Sequence, residues 1–239
     1  MTRFSDTGVI KDVSSDGKNC EIGYSSCSED EVDQIIQDQI QLARNARYEL
    51  EWKVYGHDQP SCLGERLVAA GFEAGAKEAF MVFFANKEAL DRLGVCRSDI
   101  RRVTDREGLR DYQIIREEVS GKSCANEIER HAFLLENHPN SMSIYVGYVD
   151  AEPAGCGRIY FHEESKFAGL YGGQTRERFR KRGLFTQMVA VRIREAAGRG
   201  IVNICVDALP TSEPILKKIG FASVTYTQPF LFAGQKRTP

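Results

Sequence analysis

Residues 170–186 read LYGGQTRERFRKRGLFT, and this stretch decides how the rest of the chain is interpreted. A strand-like run leads into a basic loop, and the loop leads through Gly183 into an amphipathic helix. From Arg176 to Thr186 there are five basic residues and one acidic residue, a local charge of +4 in a chain whose net charge is −2. Helix N-termini expose unpaired amides at a positive dipole end, and a glycine there lets the backbone approach a ligand. The stretch predicts a phosphate-binding loop, although its spacing is neither that of a Walker A loop nor that of a dinucleotide-binding glycine motif.

The segments on either side of this loop predict an α+β fold with a mixed sheet. Helical sequence precedes an antiparallel meander of strands, and the loop is followed by helix, strand, helix and strand, an order typical of α+β proteins. A helix from Gly183 to about Ala197 has the i, i+3/i+4 spacing of apolar residues on one face. The predicted helical region is 105–137, and the predicted strands are 143–149, 155–161, 167–175 and 201–206.

The loop and the end of the chain carry a resemblance to a known family. Residues 180–185, RKRGLF, resemble the R/Q-x-x-G-x-G/A pyrophosphate loop of the GNAT superfamily of acyl-CoA-dependent N-acyltransferases. Residues 172–175 match the strand that ends in this loop, and SEPILKKIGF at 212–221 resembles the closing helix. The resemblance extends over about 101–232. It implies the GNAT fold, acetyl-CoA as co-substrate, and direct acetyl transfer to a primary amine of an unidentified acceptor.

The resemblance also implies which residues bind acetyl-CoA. Backbone amides of 182–186 would hold the pyrophosphate, and the main chain of Gly173 and Thr175 would pair with pantetheine as an added strand would. Phe185 departs from the motif, whose last position is small, and it narrows the space over the phosphates. The full set implied is Gly173, Gln174, Thr175, Arg180, Lys181, Arg182, Gly183, Leu184, Phe185 and Thr186.

The catalytic residues are not evident from the sequence. The family's usual general-acid tyrosine, four residues before the glycine of the closing helix, corresponds to Leu216, which cannot donate a proton. No carboxylate lies in 170–175, where several relatives place a base. The nearest candidates are Glu163, Asp207 and Tyr171. Each has a structural alternative: Glu163 as a solvated turn residue, Asp207 as a cap of the next turn, and Tyr171 as a core residue.

An internal repeat predicts two related halves. Residues 67–72, LVAAGF, are similar to residues 216–221, LKKIGF, and in both places a strand and a proline-containing turn precede the helix and another apolar run follows. We interpret residues 1–95 as a degenerate, truncated GNAT-like half and residues 98–239 as the catalytic domain. A helix predicted at 29–45 begins in acidic rather than basic sequence. Ser28 to Ile40 carries a charge of −5, which repels a pyrophosphate. The first half is therefore expected to be structural or to line the acceptor site.

Composition narrows the remaining possibilities. The chain has 239 residues, its basic and acidic residues nearly balance, and its longest apolar run, 79–85, is too short to span a membrane. Seven cysteines without a C-x-x-C pair predict reduced thiols rather than disulfides or a metal site. We expect a cytoplasmic protein without a signal peptide that binds neither nucleic acid nor membranes, and monomer and homodimer both stay open.

A second hypothesis also remains. A non-catalytic acyl-CoA-binding or regulatory module would explain both Leu216 and the missing carboxylate. If the chain is an enzyme, the sequence leaves its acceptor open among antibiotics, polyamines, amino acids and protein amines.

Overall fold

The computed structural model describes residues 2–6, 8–14, 17–162 and 165–232. The chain divides into two compact units: unit 1 comprises residues 1–80 and 224–239, and unit 2 comprises residues 81–223. The elements in chain order are β1 (Thr2–Asp6), β2 (Val9–Val13), β3 (Asn19–Ser25), α1 (Val32–Ala46), β4 (Glu49–Tyr55), α2 (Leu63–Ala69), β5 (Glu73–Ala74), β6 (Glu78–Phe84), α3 (Lys87–Arg92), β7 (Asp99–Arg102), α4 (Arg106–Ser120), α5 (Ala125–Asn137), β8 (Met142–Val149), β9 (Glu152–Phe161), β10 (Phe167–Thr175), a 3-10 helix (Glu177–Phe179), α6 (Leu184–Gly198), β11 (Asn203–Ala208), α7 (Glu213–Ile219) and β12 (Ala222–Phe232).

Unit 1 packs its sheet against α1 and α2. Strands β1, β2 and β3 are antiparallel neighbours, β3 is parallel to β4, and β4 is antiparallel to β12. Trp52 of β4 is fully buried and donates to the Ser25 hydroxyl at 2.7 Å. The apolar face predicted for the first helix is confirmed, since its residues are all buried: Val32, Ile35, Ile36, Ile40 and Ala43.

The predicted start of that first helix is wrong by three residues. Helix α1 begins at Val32 rather than Glu29. The Glu31 carboxylate accepts from the backbone N–H and the hydroxyl of Ser28, at 3.2 and 2.6 Å. These bonds close residues 28–31 into a turn before the helix, so the acidic segment is present but is not itself helical.

Unit 2 contains a mixed sheet with helices on both faces. Strands β7, β8, β9 and β10 are antiparallel neighbours, and β10 is parallel to β11. Successive residues of a strand point to opposite faces. Cys156 of β9 lies in the core beneath α4 and α5, whereas the neighbouring Gly157 lies against Arg192 of α6. The α+β mixed sheet expected from the sequence is thus confirmed.

One predicted helical region is two helices. Helices α4 and α5 are separated at Gly121, whose φ of +66° ends α4 in the left-handed conformation. The break lets α4 and α5 lie side by side over β8 and β9, and it brings Glu127 back to Tyr112 of the previous helix at 3.0 Å. A single straight helix would have kept these residues far apart.

The internal repeat is present as a repeated helix ending. Gly71 and Gly220 both have left-handed backbones, with φ of +98° and +117°. In each unit the following phenylalanine donates its N–H to a leucine carbonyl five residues back: Phe72 to Leu67 and Phe221 to Leu216, both at 3.0 Å. Both helices, α2 and α7, are therefore followed by a glycine in the left-handed conformation, as the sequence pattern predicts.

Candidate functional site

Strand β10 parts from β11 halfway along its length. Among the described residues, the parallel pairing runs from Phe167 to Gly169 and stops there. On its other edge, β10 shifts register against β9 between Tyr171 and Gln174, a β-bulge at which Gly172 has a φ of +58°. A glycine is needed for this backbone conformation. The result is an irregular strand end whose edge beyond Gly169 makes no pairing with β11 among the described residues.

Two buried polar atoms mark the end of β10. Oε1 of Gln174 and Oγ1 of Thr175 are both buried without a hydrogen-bond partner among the described residues. Buried side-chain oxygens are usually satisfied in folded proteins. Since both residues belong to the set expected to bind acetyl-CoA, unsatisfied acceptors at this position fit a ligand segment that carries amide donors.

The basic loop after β10 is held by its own arginines. Arg176 is buried, donates to the Pro153 carbonyl at 2.7 Å and forms an ion pair with Glu118. The guanidinium groups of Arg176, Arg178 and Arg182 all lie within 5.8 Å of the centre of the Phe179 ring. Part of the loop's charge is therefore structural, which the sequence alone did not distinguish from ligand-binding charge.

The loop ends in an open helix N-terminus. Lys181 and Gly183 have left-handed backbones, with φ of +63° and +78°, and Gly183 caps α6 with no side chain. No described atom lies within 4 Å of the position that a Cβ of Gly183 would take. The first intrahelical bond of α6 runs from Gln187 N–H to Gly183 O, so the amides of the first turn are available to an anion.

The predicted loop residues do not all present their side chains in the same way. Arg180 donates to the Thr175 carbonyl at 3.2 Å, whereas Lys181, Arg182 and Thr186 are exposed. Leu184 is buried and lies 2.8 Å from the Cβ position of Gly147. The Phe185 ring lies 3.1 Å from the Cβ position of Gly173. These contacts occupy the Leu184 and Phe185 side chains, so these two residues can meet a phosphate through their backbone amides.

The candidate catalytic residues have different surroundings. Asp207 is half-buried within β11, two residues past the last β10–β11 pair. Tyr171 is 46% exposed, so the structural alternative of a core residue is wrong for it, and its ring meets the Tyr160 ring edge-on at 5.4 Å. Glu163 lies outside the described residues. Leu216, at the position of the family's acid, is 1% exposed. None of these observations assigns a base.

A buried ionic cluster beneath the bulge was not found from the sequence. The Glu127 carboxylate accepts from Arg158 at 2.6 Å, from Arg116 at 3.1 Å and from the Tyr112 hydroxyl at 3.0 Å. Burial alone would raise the pKa of Glu127, but the two guanidinium groups outweigh it and hold that pKa below its ordinary value. The Tyr112 hydroxyl lies 3.6 Å from the Cβ position of Gly172, so the cluster supports the bent part of β10.

His131 lies beside this cluster and is fully buried. Burial, reinforced by the Arg158 charge, lowers the pKa of His131 to about 4, so the ring is neutral at pH 7. Its Nε2 lies 3.2 Å from the Tyr160 hydroxyl. A ring with so low a pKa is a poor proton acceptor, and we assign it no catalytic role.

Arg192 of α6 is the second charged residue that sequence analysis missed. It is 1% exposed and donates to the main-chain carbonyls of Arg158 and Tyr171, the last β9–β10 pair before the bulge. A charged residue inside the apolar run of a helix was the available signal. Helical spacing does not distinguish an arginine whose guanidinium reaches solvent from one whose guanidinium is buried. The contact with Gly157 shows that Arg192 is of the second kind.

Within the described ranges, no helix is long and apolar enough to cross a membrane. The same residues contain no group of three or more His, Cys, Asp or Glu side chains placed to hold a metal ion.

Comparison of the whole chain with known proteins locates its fold. Neither the family models nor the curated proteins match the sequence. Among solved structures, a conserved protein of unknown function from Staphylococcus epidermidis superposes with a TM-score of 0.72 at 19% identity, over 95% of this chain and 92% of that one. A GCN5-related N-acetyltransferase from Kribbella flavida superposes with a TM-score of 0.65 at 9% identity, over 98% and 90%. The chain has the GNAT acetyltransferase fold.

A tandem GNAT protein agrees with the internal repeat. This protein, from the clavulanic acid biosynthesis pathway, superposes with a TM-score of 0.60 at 11% identity, over 96% of this chain and 79% of that one. The GNAT fold with a second, partial copy, expected from the sequence, is thereby confirmed. At these identities the likeness concerns the fold, and the GNAT site residues named above remain assigned from this chain alone.

Proposed function

We propose that this GNAT protein is an N-acetyltransferase that moves an acetyl group from acetyl-CoA to a primary amine by direct transfer. The observation that carries the proposal is the α6 N-terminus. Its first-turn amides are open, its cap is a glycine with open space around it, and a basic loop leads into it. Few other ligand groups suit that combination as well as a pyrophosphate does.

The bent end of β10 supports the same ligand. The pantetheine arm is an extended chain with amides, and the strand edge beyond Gly169 can pair with it as with another strand. The buried, unsatisfied oxygens of Gln174 and Thr175 belong to the same strand end. Acetyl-CoA, when bound, supplies the activated thioester, and the chain's own residues hold it and orient it toward the amine.

A single acetyl-CoA site in residues 98–239 follows from this proposal. The turn before α1 carries the Glu31 carboxylate where a phosphate would have to approach, and the surrounding residues are acidic. We assign residues 1–95 a role that is structural or that lines the acceptor site. Since none of the seven cysteines forms a disulfide, we further propose that the protein acts in the cytoplasm. Small-molecule and peptide amines are both proposed acceptors.

One observation favours a second candidate function. Leu216 is a buried apolar residue at the position of the family's acid, as a non-catalytic acyl-CoA-binding module would allow. We favour the enzyme because a thiol with a pKa of about 8.5 leaves as a thiolate that water can protonate near neutral pH.

The test has two parts. Acetyl-CoA added at about 100 times its Kd is expected to stabilise the protein by roughly 2.7 kcal/mol, measured as a rise in the melting temperature. Release of CoA thiol is then measured against a library of amines. An amine-dependent release supports the enzyme, stabilisation without any release supports the binding module, and no stabilisation overturns the site.

A further inference from the structure

Arg192 carries a buried positive charge that pairs with no carboxylate of the described residues. Its guanidinium donates to three main-chain carbonyls: Met188 at 3.0 Å, Arg158 at 3.0 Å and Tyr171 at 3.4 Å. Among the ion pairs of the described residues, none includes Arg192. Burying a charge is costly unless a counter-charge offsets it, and carbonyl dipoles offset it only in part. A negative charge placed near the Arg192 guanidinium would therefore be stabilised.

The charge lies directly behind the open part of β10. Nη2 of Arg192 is 3.5 Å from the position that a Cβ of Gly173 would take, and its Cζ is 2.7 Å from the same position at Gly157. Both residues are glycine, so the guanidinium comes close to the backbone of each strand. Gly173 is exposed on β10 and belongs to the segment assigned to pantetheine. The guanidinium therefore lies against the strand segment that is assigned to pantetheine.

The titratable groups around Arg192 leave its charge unneutralised. Burial lowers the pKa of Arg192 to about 10, so it stays protonated at neutral pH. Burial raises the pKa of the Cys156 thiol to about 12, and it also raises the pKa values of the Tyr112 and Tyr145 hydroxyls, so all three are neutral. The remaining charged or titratable neighbours are Arg158 with its partner Glu127, Glu195 with its partner Arg199, and Tyr171.

We propose that Arg192 stabilises the CoA thiolate as it leaves, and that this charge takes over part of the role of the acid missing at Leu216. The inference rests on the proposed function. As the amine nitrogen bonds to the acetyl carbon, the carbon–sulfur bond breaks and its electron pair stays on sulfur, while the amine proton passes to water. A preorganised positive charge in a dry site favours that negative sulfur more than it favours the neutral thioester.

The first test uses the unmodified protein with CoA labelled with ¹³C at the carbon next to sulfur. The chemical shift of that carbon, followed against pH, reports the thiol pKa of bound CoA. We expect it to lie at least about one unit below that of CoA in solution, near 8.5. A bound thiol pKa equal to or above the solution value overturns the inference. If CoA does not bind at all, the proposed function itself fails, and the two failures are thus distinguished.

The second test separates the charge of Arg192 from its packing. Arg192→Lys keeps the charge, and Arg192→Gln keeps a donor without it. We expect the bound thiol pKa to stay low in the Lys variant and to return toward the solution value in the Gln variant, with a roughly tenfold or larger fall in kcat. Arg194→Gln is the matched control on the same helix, since Arg194 donates to the Gly94 carbonyl. Equal thiol pKa values in Arg192→Lys and Arg192→Gln would overturn the charge role, and the measurement on the unmodified protein stands whether or not a variant folds.

Discussion

The two units share a helix ending but differ at a helix beginning. Helices α2 and α7 both end at a left-handed glycine followed by a phenylalanine that bonds to a leucine carbonyl five residues back. The N-terminus of α6 is a bare glycine after a basic loop, whereas α1 is preceded by an acidic turn closed by Glu31 on Ser28. The repeated ending is a packing feature that both units have, whereas the open, basic helix beginning to which we assign the pyrophosphate occurs at α6 and not at α1.

The largest expected effect tests whether the repeated helix ending contributes equally to the stability of both units. Leu67 and Leu216 occupy the same place in it and are both buried. We expect Leu67→Ala and Leu216→Ala each to lower the free energy of unfolding by about 2–5 kcal/mol, because each leaves a cavity. Chemical denaturation measures the loss. For Leu216→Ala, kcat with a known acceptor should change far less than stability does, and a fall in kcat at unchanged stability would give that position a chemical role.

Lowering the pH should change the contributions of His131 in unit 2 and Asp58 in unit 1 to stability in opposite directions. His131 of unit 2 has a pKa of about 4 when folded and about 6.5 when unfolded. Its contribution is complete above pH 6.5 and is lost as pH falls toward 4, because the unfolded state binds the proton more tightly, for a total of about 3 kcal/mol. Burial raises the pKa of Asp58 in unit 1, so the contribution of Asp58 to stability increases as pH falls.

The corresponding measurement is denaturant unfolding at pH 7, 6 and 5. The variant His131→Gln keeps a hydrogen-bond acceptor for Tyr160 and cannot titrate. As pH is lowered from 7 to 5, the free energy of unfolding of this variant should decrease less steeply than that of the unmodified protein. Identical pH slopes for the two proteins would contradict the assignment.

The ligand-dependent effect tests the open helix beginning. Gly183→Asp adds a Cβ and a carboxylate where the pyrophosphate is expected, so the roughly 2.7 kcal/mol of stabilisation by acetyl-CoA should disappear. Gly17→Asp is the matched control, since Gly17 also has a left-handed backbone, with φ of +68°, and open space around its Cβ position. Aspartate tolerates that conformation better than most residues do. Thermal melts with and without acetyl-CoA decide the matter, and a shift retained in Gly183→Asp would place the ligand elsewhere.

The smallest effect concerns the glycines that end α2 and α7. Gly71→Ala and Gly220→Ala force a Cβ into a left-handed conformation, at a cost of about 1–2 kcal/mol each. The loss at Gly220 should be the larger, because its Cβ would lie 3.3 Å from the Phe83 ring. Gly198→Ala, at the end of α6 without a left-handed backbone, should instead be neutral or stabilising. Melting temperatures of the three variants make the comparison, and a loss in Gly198→Ala as large as in the other two would show that backbone conformation is not the cause.

Local patterns determined much of this protein before any tertiary contact was known. The glycines at 71, 183 and 220, the apolar face of α1 and the strand 167–175 follow from spacing and from backbone conformations that only certain residues accept. The same local rules predict a phosphate-binding loop in front of α6. They failed at the start of α1. There the hydrogen bond between the Ser28 and Glu31 side chains closes a turn in a segment that the sequence pattern predicts to be helical.

Tertiary structure alone decided which charges are buried in the fold and which are exposed. Arg176 and Arg182 are alike in sequence, yet Arg176 is buried against Glu118 and Pro153 while Arg182 is exposed. Glu127 and Arg158 meet only because Gly121 folds α5 back on α4, and Arg192 is enclosed only because Gly157 leaves room for it. These contacts join residues more than twenty positions apart, and no helical or strand period relates such residues. Their charges were readable in the sequence, but their electrostatic consequences depend on burial and on neighbours that only the folded chain supplies.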